Sequence, residues 1–221
     1  MEKITLTYDL ARSILRKDFI SPEEIEEARS VIYTDEQLIK LGDTLPTQEM
    51  LEWCCDNDMM LVAGPPKAMS LLDIRVINAS YFYSKKDGWY TNKTEKFSRD
   101  DKVETVWIAL RKEPVAGSFN KNWSKQNDLV TAPMVVPNAA ETVWGLTTYK
   151  AVRNVYLFPD CYVRTSSRGS DGIPRGSDCI PRGSDCIQVD IGRFGAKGLI
   201  VSSNWYDPGI GNLGVASARK F

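Results

Sequence analysis

Apolar positions recur at helical spacing through the first sixty residues and at strand spacing afterwards. Tyr8, Ala11, Ile14 and Leu15 line one side of a short amphipathic helix. Ser21-Pro22-Glu23-Glu24 predicts the next helix start, with Ser as N-cap, Pro at the first helical position and Glu placed to close a capping box. Ile25, Ala28, Arg29 and Ile32 follow it at helical spacing. Residues 35–41 predict a third helix stopped by Gly42. Residues 47–57 predict a fourth, with Met50, Leu51, Cys54 and Cys55 on its inner face.

From residue 59 the pattern changes. Met59-Met60-Leu61-Val62-Ala63 predicts a short buried strand ended by Gly64-Pro65-Pro66. Residues 81–96 are rich in aromatics and turn formers. Residues 103–111 predict one strand, with Val106, Ile108 and Leu110 on one face and Thr105, Trp107 and Ala109 on the other, closed by Glu113-Pro114. Residues 114–137 predict a loop with one short helix around 123–129. Asn138-Ala139-Ala140-Glu141 is a second capping-box start, and its helix is expected to run to about Arg153. Strands are expected at 161–165, 187–191, 199–202 and 214–218, joined by polar and glycine-rich turns. Gly195-Ala196-Lys197-Gly198 predicts one such turn, since it lacks P-loop spacing. The resulting fold class is α+β: a helical N-terminal region at 1–58, then a mixed domain at 59–221 with one long helix and short antiparallel strands.

Composition narrows the chemistry. The chain has 221 residues and no histidine, which removes Ser-His-Asp and Cys-His nucleophile pairs and histidine-bearing zinc sites. The formal net charge of -1 argues against a dedicated nucleic-acid binder. Charge is uneven, however. Residues 1–60 carry 6 basic and 14 acidic side chains, and the remainder carries 22 basic and 15 acidic. Either the N-terminal helices present a solvated acidic face, or they dock on a basic remainder. The five cysteines are Cys54, Cys55, Cys161, Cys179 and Cys186, none in a CxxC pair, so reduced thiols are expected. Cys54 and Cys55 read as buried structural residues. No apolar run reaches membrane-spanning length and no secretory signal is visible, so the expected location is cytoplasmic or phage-associated.

Two features remain. Residues 168–188 are three near-identical heptads, RGSDGIP, RGSDCIP and RGSDCIQ. Their Gly and Pro forbid a helix, so they predict an insertion between two strands, either a tandem duplication lengthening a tolerant loop or an anion- or partner-binding excursion. Ser202 to Gly209 (SSNWYDPG) sets Trp and Tyr beside Ser, Asn and Asp in a turn. That mixture resembles a paratope, in which rigid aromatics supply area and small polar residues supply adaptable hydrogen bonds.

The runs GWYTNKTEKF, WIALRKEPV, VPNAAETVWGLTTYKAVRNVYLFPDCYVRTSS, VDIGRFGAKGLIV and LGVASARKF resemble an uncharacterised family of bacterial and phage-associated proteins. Their layout, variable near the C-terminus, is similar to the variable proteins of diversity-generating retroelements. That resemblance implies a C-type-lectin-like C-terminal region. It implies that Ser202, Ser203, Asn204, Tyr206, Asp207, Ile210 and Asn212 are diversified ligand contacts, with Trp205 a fixed aromatic among them. A second resemblance is to the dUTPase and dCTP deaminase superfamily: Tyr8-Asp9-Leu10 is similar to its YDL element, Arg164-Thr165-Ser166-Ser167-Arg168 to its phosphate-binding turn, and Tyr206-Asp207-Pro208-Gly209 to its IDPG-type segment. It implies a Mg²⁺-dependent nucleotide hydrolase that works without histidine. The leading expectation is a non-enzymatic ligand-binding protein with no catalytic residue, metal or cofactor. Its partner would be a protein or other macromolecule rather than nucleic acid, with oligomeric state left open.

Overall fold

A computed structural model describes residues 7–84, 87–170, 187–204 and 209–221. The elements in chain order are α1 (Tyr8–Leu15), β1 (Phe19–Ile20), α2 (Pro22–Arg29), α3 (Asp35–Asp43), α4 (Gln48–Asp56), β2 (Met59–Ala63), β3 (Met69–Ser70), α5 (Leu71–Ile77), α6 (Phe97–Asp100), β4 (Lys102–Val103), β5 (Trp107–Arg111), α7 (Trp123–Asn127), α8 (Ala139–Arg153), β6 (Tyr162–Arg168), β7 (Gln188–Gly195), β8 (Gly198–Asn204), β9 (Leu213–Val215) and β10 (Ala218–Lys220). The fold is α+β, as expected.

Two four-stranded sheets organise the chain, one in the order β1-β2-β5-β10 and the other β8-β7-β6-β9. Residues paired across a ladder share a face, so register assigns the faces of the first sheet. Phe19 pairs with Leu61, Leu61 with Ala109, and Ala109 with Arg219. This face carries Trp107 and is covered by the N-terminal helices. The Trp107 ring stacks on Phe19 at 5.4 Å and meets Tyr8 edge-on at 5.7 Å, while its indole N–H donates to the Leu41 carbonyl at 2.7 Å. The opposite face carries Met60, Ile108 and Leu110 and is covered by α8. A Cβ on Gly145 would sit 2.7 Å from Leu110 Cδ1 and 2.9 Å from Met60 Cε, so glycine is what lets α8 approach.

The second sheet buries Val163, Val189, Ile191 and Val201 in the same apolar core as α8 and the first sheet. The two sheets are also joined by chain: β9 pairs with β6, and three residues later β10 pairs with β5. The expected single strand at 214–218 is therefore two strands in different sheets.

Three other expectations are corrected. The strand expected at 103–111 is interrupted, with β4 pairing with β3 and β5 with β2 and β10. The break follows from local bonds: Val106 O accepts from Gly64 N at 2.8 Å, and the Thr105 hydroxyl donates to Pro65 O at 2.7 Å. Helix α3 continues through Gly42, which has open space around it, and ends where the Thr44 hydroxyl bonds the Lys40 carbonyl at 2.8 Å. Cys55 is exposed, because α4 turns Leu51 and Cys54 inward instead. The repeat from residue 171 to 186, with Cys179 and Cys186, lies outside the described residues.

The capping boxes at Ser21 and Asn138 both form. Asn138 accepts from Glu141 N at 2.8 Å, and its amide donates to Lys102 O at 2.9 Å, tying the start of α8 to β4. Asn138→Ala removes both bonds and is expected to cost about 1–2 kcal/mol in urea unfolding. The uneven charge is used in part for docking. Lys112 pairs with Asp18 at 2.9 Å and Asp58 at 2.6 Å, and Arg153 pairs with Glu24 at 2.6 Å. Among the described residues no helix is long and apolar enough to cross a membrane.

Candidate functional site

Ser202, Ser203 and Asn204 close β8, paired with Asp190, Val189 and Gln188 of β7. Successive strand residues face opposite ways. Ser202 and Asn204 therefore share a face with Asp190, while Ser203 lies with Val189 on the apolar side. All three are partly exposed. Ile210 and Asn212 stand on the other limb of the connection, just before β9. Their carbonyls hold them: Ile210 O accepts from Asn120 N at 3.1 Å, and Asn212 O accepts from Tyr162 N at 2.8 Å. Gly209 packs so closely that a Cβ there would lie 2.4 Å from the Asn120 carbonyl oxygen. Trp205, Tyr206 and Asp207 lie outside the described residues.

The two limbs are well apart. In the sheet order β8-β7-β6-β9, three strand spacings separate β8 from β9, roughly 14 Å. Leu213 aligns through Tyr162 and Gly192 with Ile200, four positions before Asn204 along β8. The structure thus brings Ser202 and Asn204 together, sets Ser203 on the reverse face, and places Ile210 and Asn212 at the far edge.

Beneath Asn204 lies a buried polar cluster. Arg164 of β6 is the cross-strand partner of Asp190. Both side chains are fully buried. The Asn204 amide donates to Asp190 Oδ2. Arg164 Nη1 donates to Gln126 Oε1 at 2.9 Å and to Lys121 O at 3.2 Å. Gln126 in turn donates to Ser118 O at 2.9 Å and Leu213 O at 2.8 Å, so its amide is fully used. Asn122 makes this possible: it accepts from Lys125 N at 3.1 Å, capping α7 and turning Gln126 inward. Burial pushes the Asp190 carboxyl up to about 7, against the lowering effects of the Asn204 amide and the Arg164 charge. Asp190 Oδ1 has no hydrogen-bond partner.

This cluster was not read from the sequence. Its signal was an ionisable residue inside the apolar run Val189-Asp190-Ile191, with Arg164 in a neighbouring strand. The expected phosphate-binding turn at Arg164–Arg168 is strand β6 instead. Ser167 there accepts from Ala139 N at 2.8 Å and bonds Asp101, so it serves the start of α8. Tyr8-Asp9-Leu10 opens helix α1, where Tyr8 packs on Phe19 and Trp107 of the other sheet. The cluster can orient the Asn204 amide. Its one acid near neutrality is sealed from solvent, which denies it to a substrate. Among the described residues no group of His, Cys, Asp and Glu is arranged to hold a metal ion. Comparison with protein-family models, curated proteins and solved structures finds no match.

Proposed function

We propose that this chain is a non-enzymatic ligand-binding protein that displays residues 202–212, in the manner of the variable proteins of diversity-generating retroelements, on a C-type-lectin-like C-terminal region. The observation that supports it is how Ile210 and Asn212 are held. Both are fixed through backbone carbonyls, by Asn120 and Tyr162, so their side chains can change without loss of a framework bond. Ser202 similarly enters the sheet through β8 backbone pairing. Asn204 is the exception, since its amide donates to Asp190. In this reading Asn204 is a supporting residue bonded to Asp190, Ser203 faces the apolar side with Val189, and Ser202, Trp205, Tyr206, Asp207, Ile210 and Asn212 form the contact set. The partner is a protein or other macromolecule, met in the cytoplasm or on a phage particle.

Sequencing the locus tests the retroelement part: an adjacent reverse transcriptase and a near-identical template repeat are expected, and the absence of both removes it. Trp205→Ala with Tyr206→Ala is expected to weaken capture of the ligand by more than about tenfold, with thermal unfolding unchanged. The hydrolase alternative draws nothing from the helical setting of Tyr8 or the strand setting of Arg164. Pyrophosphate release or deamination on incubating pure protein with dUTP and dCTP would restore it.

A further inference from the structure

Arg111 ends β5 on the face of the first sheet that the N-terminal helices cover. Arg219 of β10 shares that face, paired with Ala109 two residues before Arg111. Trp53 of α4 lies over this end, with the Arg219 guanidinium 5.6 Å from its ring centroid. Beside Trp53 the surface opens into a cavity of about 320 Å³, at the lower end of the size range for small-molecule sites. Trp53, Val115, Val130 and Met134 give it apolar walls, and Arg111 and Asn57 supply polar atoms.

Arg111 is the charged residue that lines this cavity, while the Arg219 guanidinium lies over the Trp53 and Phe221 rings. Arg111 Nη2 reaches only Asn57 Oδ1, at a long 3.5 Å. Among the described residues neither Arg111 nor Arg219 joins an ion pair. The adjacent Lys112 shows the contrast, held between Asp18 and Asp58. A guanidinium stays charged at any physiological pH, and its planar fork fits a carboxylate in two parallel bonds. The Arg111 guanidinium puts one positive charge in the wall of the cavity. The apolar walls suit a ligand with a single anionic end rather than a polyphosphate. The indole and the branched side chains suit a flat hydrophobic body.

We propose that this cavity is a binding site for a small arylalkyl monocarboxylic acid, its carboxylate on Arg111 and its ring against Trp53, Val130 and Met134. The site lies on the sheet that does not carry Asn204, so it stands or falls independently of ligand display by residues 202–212.

Titration of the full chain with 3-phenylpropionate and with its neutral amide, followed by saturation-transfer NMR and by tryptophan emission, tests the assignment. The acid is expected to bind and the amide to bind at least about tenfold more weakly, the difference made by one charge-assisted pair. Arg111→Gln is expected to weaken the acid by a similar, about tenfold, factor without changing the amide. Val130→Trp fills the cavity and is expected to remove both. No detectable binding of the acid at about 10 mM would overturn the proposal. So would equal binding of acid and amide, or an acid affinity unchanged in Arg111→Gln together with Val130→Trp, both folded by circular dichroism.

Discussion

Trp144→Ala is expected to lower the free energy of unfolding by about 4–5 kcal/mol, among the largest losses any single truncation in this chain should give. Trp144 is fully buried in the middle of α8. Its indole N–H donates to the Ala63 carbonyl at 2.9 Å, closing the end of β2. Its ring face carries the Arg29 guanidinium, 4.2 Å from the ring centroid. Arg29 is itself buried, bonded to Thr147 at 3.1 Å and to Thr148, with Nε and Nη2 lacking hydrogen-bond partners. Burial lowers its pKa to about 10. The indole face is a favourable surface for this cation. Removing it opens a cavity, strands the Ala63 carbonyl and leaves the cation over empty space, so three costs fall on one residue. Trp144→Phe keeps most of the volume and is expected to cost about 1–2 kcal/mol less than alanine. Urea unfolding of both variants measures this. A loss below about 1 kcal/mol for alanine would mean that the helix repacks around the gap.

Asp190→Asn is expected to be stabilising above neutral pH and not below about pH 4. The Asp190 carboxyl is raised from 3.8 to about 7 in the folded chain, mainly by burial. Between those values the folded state keeps a proton that the unfolded state has released. The folded state therefore binds more protons, and unfolding free energy falls as pH rises through this window, by at most about 1.4 kcal/mol per unit. Above about pH 7 both states are ionised and the loss is complete, of the order of a few kcal/mol. Asparagine is neutral throughout, can still accept from Asn204, and leaves Arg164 its bonds to Gln126 and Lys121. Other carboxylates, such as Asp73, which its Ser70 hydrogen bond holds below the ordinary range, add pH dependence of their own. The difference between variant and wild type cancels them. That difference, measured by denaturant titration at pH 4, 6 and 8, should grow across the series. A flat difference would show that Asp190 ionises normally.

Helix starts were legible because a cap is a local bargain, struck within four residues. Ser21 and Asn138 each accept the expected backbone N–H. Strand limits were less legible because pairing is decided by distant chain. The two-residue strand β1 exists only through its parallel pairing with β2, some forty residues on. Alternation in β5 did not separate inside from outside, since Trp107 and Ala109 are as buried as Ile108 and Leu110. The helical layer over that sheet covers what would otherwise be a solvent face. The same holds for the sites. Ser202 and Asn204 could be read as flanks of a polar-aromatic turn. Their support by Asp190, Arg164 and Gln126 draws on three elements that share no motif, and the Trp53–Arg111 cavity draws on two more.

Residues 168–170 and 187–188 form a neck. Arg168 pairs with Gln188 and Gly169 N bonds Ile187 O at 2.9 Å, while Ser170 N and Oγ bond the Glu95 carboxylate at 2.9 and 2.6 Å. These bonds fasten the first residues of the first heptad and the last residues of the third. Adding or removing one whole heptad between Ser170 and Ile187 is expected to leave the register of β6 and β7 unshifted, at a loop-closure cost of about a few tenths of a kcal/mol, which urea unfolding of such variants measures. The neck also gives a fluorophore or affinity tag two anchored ends to be spliced between, and such a fusion is expected to keep both sheets by circular dichroism.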